Sequence, residues 1–499
     1  MMEQSIRSGH ITIPGFSLPV FSDDEIKILH QATLDILEKT GVKVESKEAL
    51  EIFQGAGAVI EGNGETGIVK LPAHLVEACI KSSPGRVIYH GRNPKQSYRV
   101  DQGEVGFSTF GECIKVIDPT SRQIGPASKE ALGRAALLVD YLDQMAVLER
   151  PMGSLDKPAQ TQPLHNFEAM VKNCGKHIFM GFNSRENAKK IFEMAAVCMG
   201  GKDKFRETPI VTAFITPTSP LELVKNCCDV IIESARAGVG VAPISMVLSG
   251  ATAPATLAGA IVQHNAEVLS AITLAQLTRK GTPCTYASCS TIMDLRFSTP
   301  AVGAPEFGVI SAGLAKLARF YDIPSWVGGG HSDSKLPDAQ AAYESSLTAT
   351  VSALSGANFI YGAGCLESGL TFDFAKLLMD SELINNIYKV LKGIEINKNT
   401  IALDLIHEVG PAGEFLTRQH TFDNMRQMSS SSLFDRRNRD KWMEVAQGKD
   451  LTTRAYEEAN HILMTHKALE LPIGADEAMK DIIKEYETAN QYKGRKNDT

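Results

Sequence analysis

The 499-residue sequence has no uncharged apolar run that approaches the roughly 20 residues a helix needs to cross a bilayer. Its N-terminal stretch, MMEQSIRSGHITIPGF, contains no apolar segment of the signal-peptide type. The sequence also lacks any run of five or six basic residues, and its formal net charge is −7. These absences argue against a membrane or a nucleic acid as partner, and they predict a cytoplasmic protein that binds a small molecule.

Several catalytic signatures are missing as well. The sequence contains no GxxxxGK[ST] phosphate-binding loop, no HExxH zinc motif and no GxSxG nucleophile elbow. Its nine cysteines are scattered through apolar segments and lack the spacing with histidines of a zinc site. We therefore expect free thiols in a reducing compartment, no bound metal, and no catalytic nucleophile or general base.

What is present is an alternation of short β-prone runs with longer helix-like segments, which begins near residue 104. Such an alternation predicts a parallel sheet with right-handed crossovers. Eight units favour a (β/α)8 TIM barrel over 101–395, with an open doubly wound sheet as the alternative. The predicted strands cover 105–110, 145–149, 177–182, 209–215, 241–247, 283–288, 323–328 and 359–364.

The regions on either side of the barrel are predicted to be helical. Residues 1–100 should form a mainly helical region, with helices at 23–40, 47–55 and 72–81. Residues 396–499 should form a helical extension that packs on the barrel or on a second subunit. The long helices of this extension suggest a homo-oligomer.

In a TIM barrel the active site lies at the C-terminal ends of the strands. The end of the predicted seventh strand carries GGGHSDSK (328–335), which combines three glycines, a histidine, an acid and an amine. Such a mixture is typical of a binding loop and has little use in packing. We predict that His331 binds substrate and that the backbone of Gly329 and Gly330 approaches it closely.

Four long stretches resemble the trimethylamine methyltransferase family, and the resemblance covers nearly the whole chain. The resemblance implies a TIM barrel that moves a methyl group from an amine nitrogen to the cobalt of a separate corrinoid protein, and a chain that binds no cofactor itself. The segment DLIHEVG (404–410) is one residue out of step with the D-x-H-x-x-G signature of corrinoid-binding domains. The four stretches are TGVKVESKEALEIFQGAGA (40–58), SGATAPATLAGAIVQHNAEVLSAITLAQLTRKGTP (249–283), GAPEFGVISAGLAKLARFYDIPSWVGGGHSDSKLPDAQAAYE (303–344) and HEVGPAGEFLTRQHT (407–421).

The founding trimethylamine enzymes of methanogens carry pyrrolysine, which this sequence lacks. The resemblance suggests that the corresponding position falls in or next to 328–335. Relatives without pyrrolysine look like demethylases of quaternary amines. The resemblance therefore implies glycine betaine as the first choice of methyl donor, giving dimethylglycine, with proline betaine, carnitine or choline as alternatives. A non-catalytic barrel that binds a betaine is the alternative from another class.

A quaternary nitrogen carries a full positive charge but donates no conventional hydrogen bond, so aromatic faces and carboxylates should hold it. A betaine carboxylate would in turn be bound by His331, Lys335 or the N–H groups of the glycines. The alternative for Phe214 is a place in the packed barrel, and for Lys335 an ion pair with Asp333 or Asp338. The predicted residues for the cation are Phe110, Phe214, Tyr361, Glu112 and Asp333, and further candidates are Phe107, Phe182, Tyr286, Glu149 and Glu367.

Overall fold

A closed barrel of eight parallel strands forms the centre of the chain. The computed structural model describes residues 11–12, 18–100 and 104–497. The barrel strands, labelled β1 to β8, are Glu104–Thr109, Leu148–Glu149, Ile178–Gly181, Val211–Ile215, Gly240–Ser245, Tyr286–Ser288, Ser325–Gly328 and Phe359–Ala363.

Parallel pairing runs from β2 through β8 and returns from β8 to β1. The last gap, between β1 and β2, is closed by a parallel bridge of Phe107 to Met145 and by a 2.8 Å hydrogen bond from the amide of Ala146 to the carbonyl of Phe107. This closure confirms the predicted TIM barrel and excludes the open sheet. All eight predicted strands are present.

Each barrel strand is followed by a helix that starts near the C-terminal mouth of the barrel. Side-chain caps fix several starts: Ser128, Ser184, Asp338 and Asp373 each accept a hydrogen bond from a backbone N–H in the first turn of the following helix. The helices, labelled α1 to α8, are Lys129–Tyr141, Gln162–Asn173, Arg185–Met199, Lys225–Ala237, Leu257–Thr278, Pro305–Phe320, Ala339–Leu354 and Phe374–Lys392.

A column of aromatic rings fills the interior of the barrel. Tyr89 packs against Phe359 with ring centroids 4.8 Å apart, and Phe359 lies 5.5 Å from Phe179. Phe179 lies 5.0 Å from Trp326, which in turn lies 5.3 Å from Tyr361 near the mouth. The interior is therefore a packed core in its lower part, as in other barrels of this size.

The N-terminal region contains the three expected helices and, in addition, a small sheet that was not predicted. Its strands are only two to four residues long, and one of them comes from the segment after β4, so no alternation of apolar residues reveals them. The helices are Asp23–Asp35 with a π-helical turn at Ile36–Thr40, Lys47–Gly55 and Ala73–Ser82. The sheet strands are Val42–Val44, Val59–Gly62, Gly67–Lys70 and Glu222–Leu223.

Further short strands lie outside the barrel wall. Two small sheets at the mouth contain Leu248–Ser249, Thr291–Asp294 and Thr299–Ala301 in one, and Lys115–Ile117, Ile124–Pro126, Cys365–Leu366 and Thr371–Asp373 in the other. A hairpin pairs Val87–Tyr89 with Tyr98–Val100, and Ile11–Thr12 pairs antiparallel with β1.

The region after α8 is helical. Leu451–Thr465 packs along α8, and its Tyr456 hydroxyl donates to the buried carboxylate of Asp373. Among the described residues, no helix combines the length and the apolar character that a membrane span requires. The helices of this region are Lys398–Ile401, Leu403–Val409, Gln419–Asn424, Arg439–Ala446, Leu451–Thr465 and Ala475–Asn497.

Candidate active site

Aromatic rings from four strands meet at the C-terminal mouth of the barrel. Tyr361 on β8 stacks on Phe110, which follows β1, with ring centroids 5.4 Å apart and planes 18° from parallel. Trp326 on β7 lies 5.3 Å from Tyr361 and 5.8 Å from Phe214 on β4. The structure thus brings together the three aromatic residues named from the sequence and adds Trp326. Together they form a largely enclosed apolar wall.

His331 lies among these rings and is almost completely buried. The edges of Phe110, Phe307 and Tyr361 surround it at centroid distances of 4.7, 5.2 and 5.2 Å. Burial lowers the pKa of His331 to about 3, and the positive charge of Lys376 acts in the same direction. The imidazole is therefore neutral at physiological pH, and one ring N–H remains available as a donor.

Buried donors without a protein acceptor gather at this site. Within the part of the chain that the structure describes, neither ring nitrogen of His331 has a hydrogen-bond partner, and neither does the indole Nε1 of Trp326. The Nε of Arg150, just after β2, is buried and has no partner among the same residues, and its guanidinium lies 6.0 Å from the ring of Phe214. Buried polar groups are nearly always paired in native proteins, so this set fits a ligand that brings its own acceptor atoms.

The acidic side of the site consists of Glu149 and Glu112. Glu149 ends β2 and is buried; burial raises the pKa of its carboxyl well above the ordinary value, and the charge of Glu112 adds to this. Its one described side-chain partner is the hydroxyl of Ser108, at 3.4 Å. Glu112 is mostly exposed and pairs with Arg150, which also donates to the carbonyl of Gly111 at 3.2 Å. A nearby cation would favour the charged form of Glu149 and lower its pKa again.

An ion pair supports the His331 loop from below. Lys376 on α8 donates to both oxygens of Asp380 at 2.6 and 2.7 Å, and to the hydroxyl of Ser345 at 2.8 Å. Asp380 also accepts from the amide of Gly364 after β8, and Ser345 donates to the carbonyl of Gly330 after β7. The pair is buried and ties together the ends of these two strands.

Each of the three positions before His331 requires glycine for a different structural reason. A methyl group at Gly328 would overlap the ring of Phe307, and one at Gly329 would lie 2.8 Å from Ile360 and 3.1 Å from the backbone of Ala349 on α7. Gly330 has a φ of +96°, which favours glycine. The amides of Gly329 and Gly330 are already bonded, to the carbonyl of Tyr361 and the hydroxyl of Thr348. Close packing and a left-handed turn, rather than ligand approach, account for the triplet.

Gly329→Ala is consequently expected to lower the free energy of unfolding by about 1–3 kcal/mol, because the added methyl overpacks the contact between β7 and α7. Calorimetric melting of the variant measures this loss. Gly55→Ala is the control, since a methyl there meets nothing within 4 Å at the end of a helix. A Gly329→Ala enzyme with an unchanged melting temperature and a raised KM would show instead that the glycine serves ligand approach.

Asp333 and Lys335 face away from the aromatic cluster. The Asp333 carboxylate accepts from the amides of Val302 and Gly303 at 3.1 and 3.0 Å and from the hydroxyl of Ser368 at 2.8 Å. It therefore ties together the segments that follow β6, β7 and β8. Lys335 donates to the carbonyl of Asp333 and lines an open cleft of about 910 Å³ outside the loop. Neither side chain belongs to the enclosed site.

The further candidates other than Glu149 have structural partners instead. The ring of Phe107 packs on Tyr388 of α8, Phe182 packs on Phe192 of α3, and the Tyr286 hydroxyl donates to Asn265 of α5. Glu367 pairs with Lys115 at the mouth. Sequence reasoning missed Trp326 and Arg150. Trp326 lies inside an apolar run like any core residue, whereas Arg150 directly follows a β-prone run, a position that could have revealed it.

The closed barrel and the enclosed aromatic mouth define a TIM-barrel protein, and the unpaired donors beside the rings would suit a small ligand with acceptor atoms. Residues 3–489 match the family model of trimethylamine methyltransferase (MTTB), and the chain belongs to this methyltransferase family. The predicted family is thus confirmed, and an enzyme is supported.

Known relatives agree with this assignment. The chain is 45% identical over 486 residues to trimethylamine methyltransferase MttB of Desulfitobacterium hafniense (strain DSM 10664 / DCB-2), with 97% of each chain covered. It is 33% identical over 428 residues to the glycine betaine methyltransferase of D. hafniense (strain Y51), covering 85% of this chain and 88% of that one. The solved structure of the hydroxylamine MtmB complex has the same fold, with a TM-score of 0.53, 12% identity, and 90% and 89% of the two chains covered.

Proposed function

We propose that this protein moves a methyl group from a quaternary amine, glycine betaine in the first place, to the Co(I) of a separate corrinoid protein. The observation that carries the proposal is the combination, at one enclosed site, of aromatic rings with buried donors that have no protein acceptor. A betaine offers a counterpart to each half, since it joins a methylated cation to a carboxylate.

The cationic end fits the aromatic wall. Trimethylammonium groups are held by aromatic faces within about 6 Å, an interaction that strengthens when water is excluded. Phe110, Tyr361, Trp326 and Phe214 supply these faces. The buried Glu149 adds a carboxyl group with a raised pKa, which a permanent cation would lower, so the bound substrate favours its charged form.

The carboxylate end fits the unpaired donors. The N–H of the neutral His331 and the Nε–H of Arg150 both lack acceptors among the described residues, and the Nη2 group of the Arg150 guanidinium pairs with Glu112. Hydrogen bonds to a charged group contribute about 1.5–3 kcal/mol each, whereas leaving these donors buried and unpaired is costly. The same argument distinguishes betaines from choline, which has a hydroxyl in place of the carboxylate.

The chemistry requires little more than positioning. The Co(I) nucleophile attacks a methyl carbon, the bond from that carbon to nitrogen breaks with its electron pair, and the tertiary amine leaves neutral, without a proton. The chain then has to hold the cation, aim one methyl towards the mouth and exclude water. No general base or covalent intermediate is needed, and we propose that the chain carries no corrinoid itself.

A methyl-transfer assay tests the proposal directly. Purified protein is mixed with a Co(I) corrinoid protein and, in turn, glycine betaine, proline betaine, carnitine, choline and trimethylamine, while the cobalt absorption spectrum is recorded. Methylation is expected with a betaine and not with trimethylamine. Methyl transfer from trimethylamine and from none of the quaternary amines would overturn the proposal that the donor is a quaternary amine. If no donor reacts although calorimetry detects betaine binding, the protein is a non-catalytic betaine-binding barrel.

A further inference from the structure

The guanidinium of Arg150 is only partly satisfied by the protein. The Nε–H and the Nη2 group of an arginine form a fork from which one carboxylate can accept two hydrogen bonds. In Arg150 the Nη2 group donates to the carboxylate of Glu112 and, at 3.2 Å, to the carbonyl of Gly111. The Nε is buried and has no partner among the residues that the structure describes. Glu112 therefore occupies one half of the fork and leaves the other half open.

The two partners of this ion pair differ in exposure. The Arg150 side chain is 7% exposed, whereas the Glu112 side chain is 61% exposed. Moving the Glu112 carboxylate fully into water costs little, because most of the side chain is already hydrated. Arg150 cannot follow it without opening the wall of the barrel mouth. In the pair of Lys376 with Asp380, by contrast, both side chains are buried. Glu112 is thus a partner that can be exchanged.

The loop that follows β1 holds Glu112 beside the aromatic wall. Phe110, two residues earlier, belongs to that wall. A Cβ atom at Gly111 would lie 2.5 Å from the carbonyl oxygen of Arg150 and 3.0 Å from the carboxylate of Glu149. Only glycine lets the loop lie this close to the end of β2, and the same close approach sets the Glu112 carboxylate on Arg150.

We propose that Glu112 is an internal stand-in for the carboxylate of the substrate. It holds the Arg150 fork while the site is empty, and the substrate carboxylate displaces it and accepts from both Nε and Nη2. The inference rests on the proposed function, because it takes the incoming carboxylate to be that of a betaine. A buried guanidinium without a counter-charge is strongly unfavourable. Burial raises the pKa of Glu149, the other carboxyl nearby, and favours its neutral form, so Glu112 supplies the negative charge in the empty site.

The displacement of Glu112 concerns only ligands that carry a carboxylate. A betaine has to compete with Glu112 for Arg150, whereas choline leaves the ion pair in place. The demethylated product keeps its carboxylate, so the return of Glu112 to Arg150 helps to expel the product after methyl transfer. Glu112 thereby lowers the affinity for betaine and for product by the same factor, and it determines how strongly the site prefers a betaine to choline.

Titration calorimetry with three ligands tests this exchange. The ligands are glycine betaine, choline and tert-butylacetic acid, whose anion has the shape and the carboxylate of glycine betaine but a carbon atom in place of the charged nitrogen. Glu112→Gln should tighten the binding of the two carboxylate ligands about two- to fivefold, the factor that an ion pair with one exposed partner contributes. The binding of choline should not tighten. Glu112→Ala removes the whole group and should reproduce the result.

Asp118→Asn is the matched control. It also removes one negative charge from an ion pair with an arginine on the connection between β1 and α1, since Asp118 lies 3.0 Å from Arg134. All three affinities should stay unchanged in this variant. Weaker binding of both betaine and choline in Glu112→Gln would show that Glu112 holds the cation and would overturn the inference. Unchanged affinities, an equal tightening of choline, or the failure of both carboxylate ligands to bind would overturn it as well.

The anion of tert-butylacetic acid has no methyl group on nitrogen to transfer, so its binding is independent of the proposed reaction. If Glu112→Gln tightens its binding although no quaternary amine methylates the cobalt, the exchange at Arg150 stands and the proposed reaction fails. If a betaine methylates the cobalt although Glu112→Gln leaves every affinity unchanged, the reaction stands and the exchange fails.

Discussion

Lys376→Met is expected to lower the free energy of unfolding by about 3–5 kcal/mol, the range for removing one partner of a buried ion pair. The Lys376 side chain is almost completely buried, and its loss leaves Asp380 inside the protein without a counter-charge. Ser345 and the carbonyl of Gly330 lose a donor at the same time. Urea unfolding followed by circular dichroism measures the change.

Two controls define this result. Lys225 and Asp229 form an ion pair with the same spacing and the same 2.6 Å distance, but Lys225 is 68% exposed, so Lys225→Met should cost less than about 1 kcal/mol. The double variant Lys376→Met/Asp380→Asn should be more stable than Lys376→Met, because the buried charge is gone. A loss below about 1 kcal/mol for Lys376→Met would contradict the structural role assigned to the pair.

The pH dependence of the Lys376→Met variant provides a third check. Burial raises the pKa of Asp380, and the lost ammonium no longer lowers it. A carboxyl whose pKa is raised in the folded state is protonated at a higher pH in the folded protein than in the unfolded chain. The deficit relative to wild type should therefore shrink as the pH falls through the raised pKa of Asp380.

His331→Ala is expected to weaken binding of glycine betaine by about 1.5–3 kcal/mol, the contribution of a hydrogen bond to a charged group. Titration calorimetry measures this change. Choline should lose little affinity, because it has no carboxylate for the imidazole N–H to meet. The test therefore compares two ligands on the same variant, which separates a binding role from a general disturbance of the aromatic cluster.

The variant His331→Gln tests whether the imidazole acts as a hydrogen-bond donor or only fills space among the aromatic rings. Glutamine retains an N–H and should recover much of the betaine affinity, whereas alanine does not. Since burial lowers the pKa of His331 to about 3, the wild-type imidazole stays neutral from pH 5 to 8 and should add no inflection to the binding curve in that interval. Equal losses for betaine and choline, or a melted His331→Ala protein with normal affinity in its folded fraction, would make His331 a structural residue.

The barrel was predictable because each strand is a continuous apolar run bounded by loop residues, and this pattern can be recognised in the sequence without tertiary information. Phe110, Phe214, Tyr361 and His331 could be named because they lie within or just after such runs. The directions of Asp333 and Lys335 could not be predicted, since they depend on the left-handed turn at Gly330. Lys376 and Asp380 have the spacing of an ordinary exposed helix pair. Only the packing of α8 beneath two strand ends buries them.

The aromatic column below Trp326 has a consequence for the order of events in catalysis. Phe179, Phe359 and Tyr89 close the barrel from beneath, so an amine that binds among Tyr361 and Phe110 enters through the mouth. The corrinoid partner of the proposed reaction has to approach the same opening. The steady-state kinetics should then be sequential with compulsory order: the amine binds first, the cobalt protein second, and the demethylated product is trapped until its acceptor has departed.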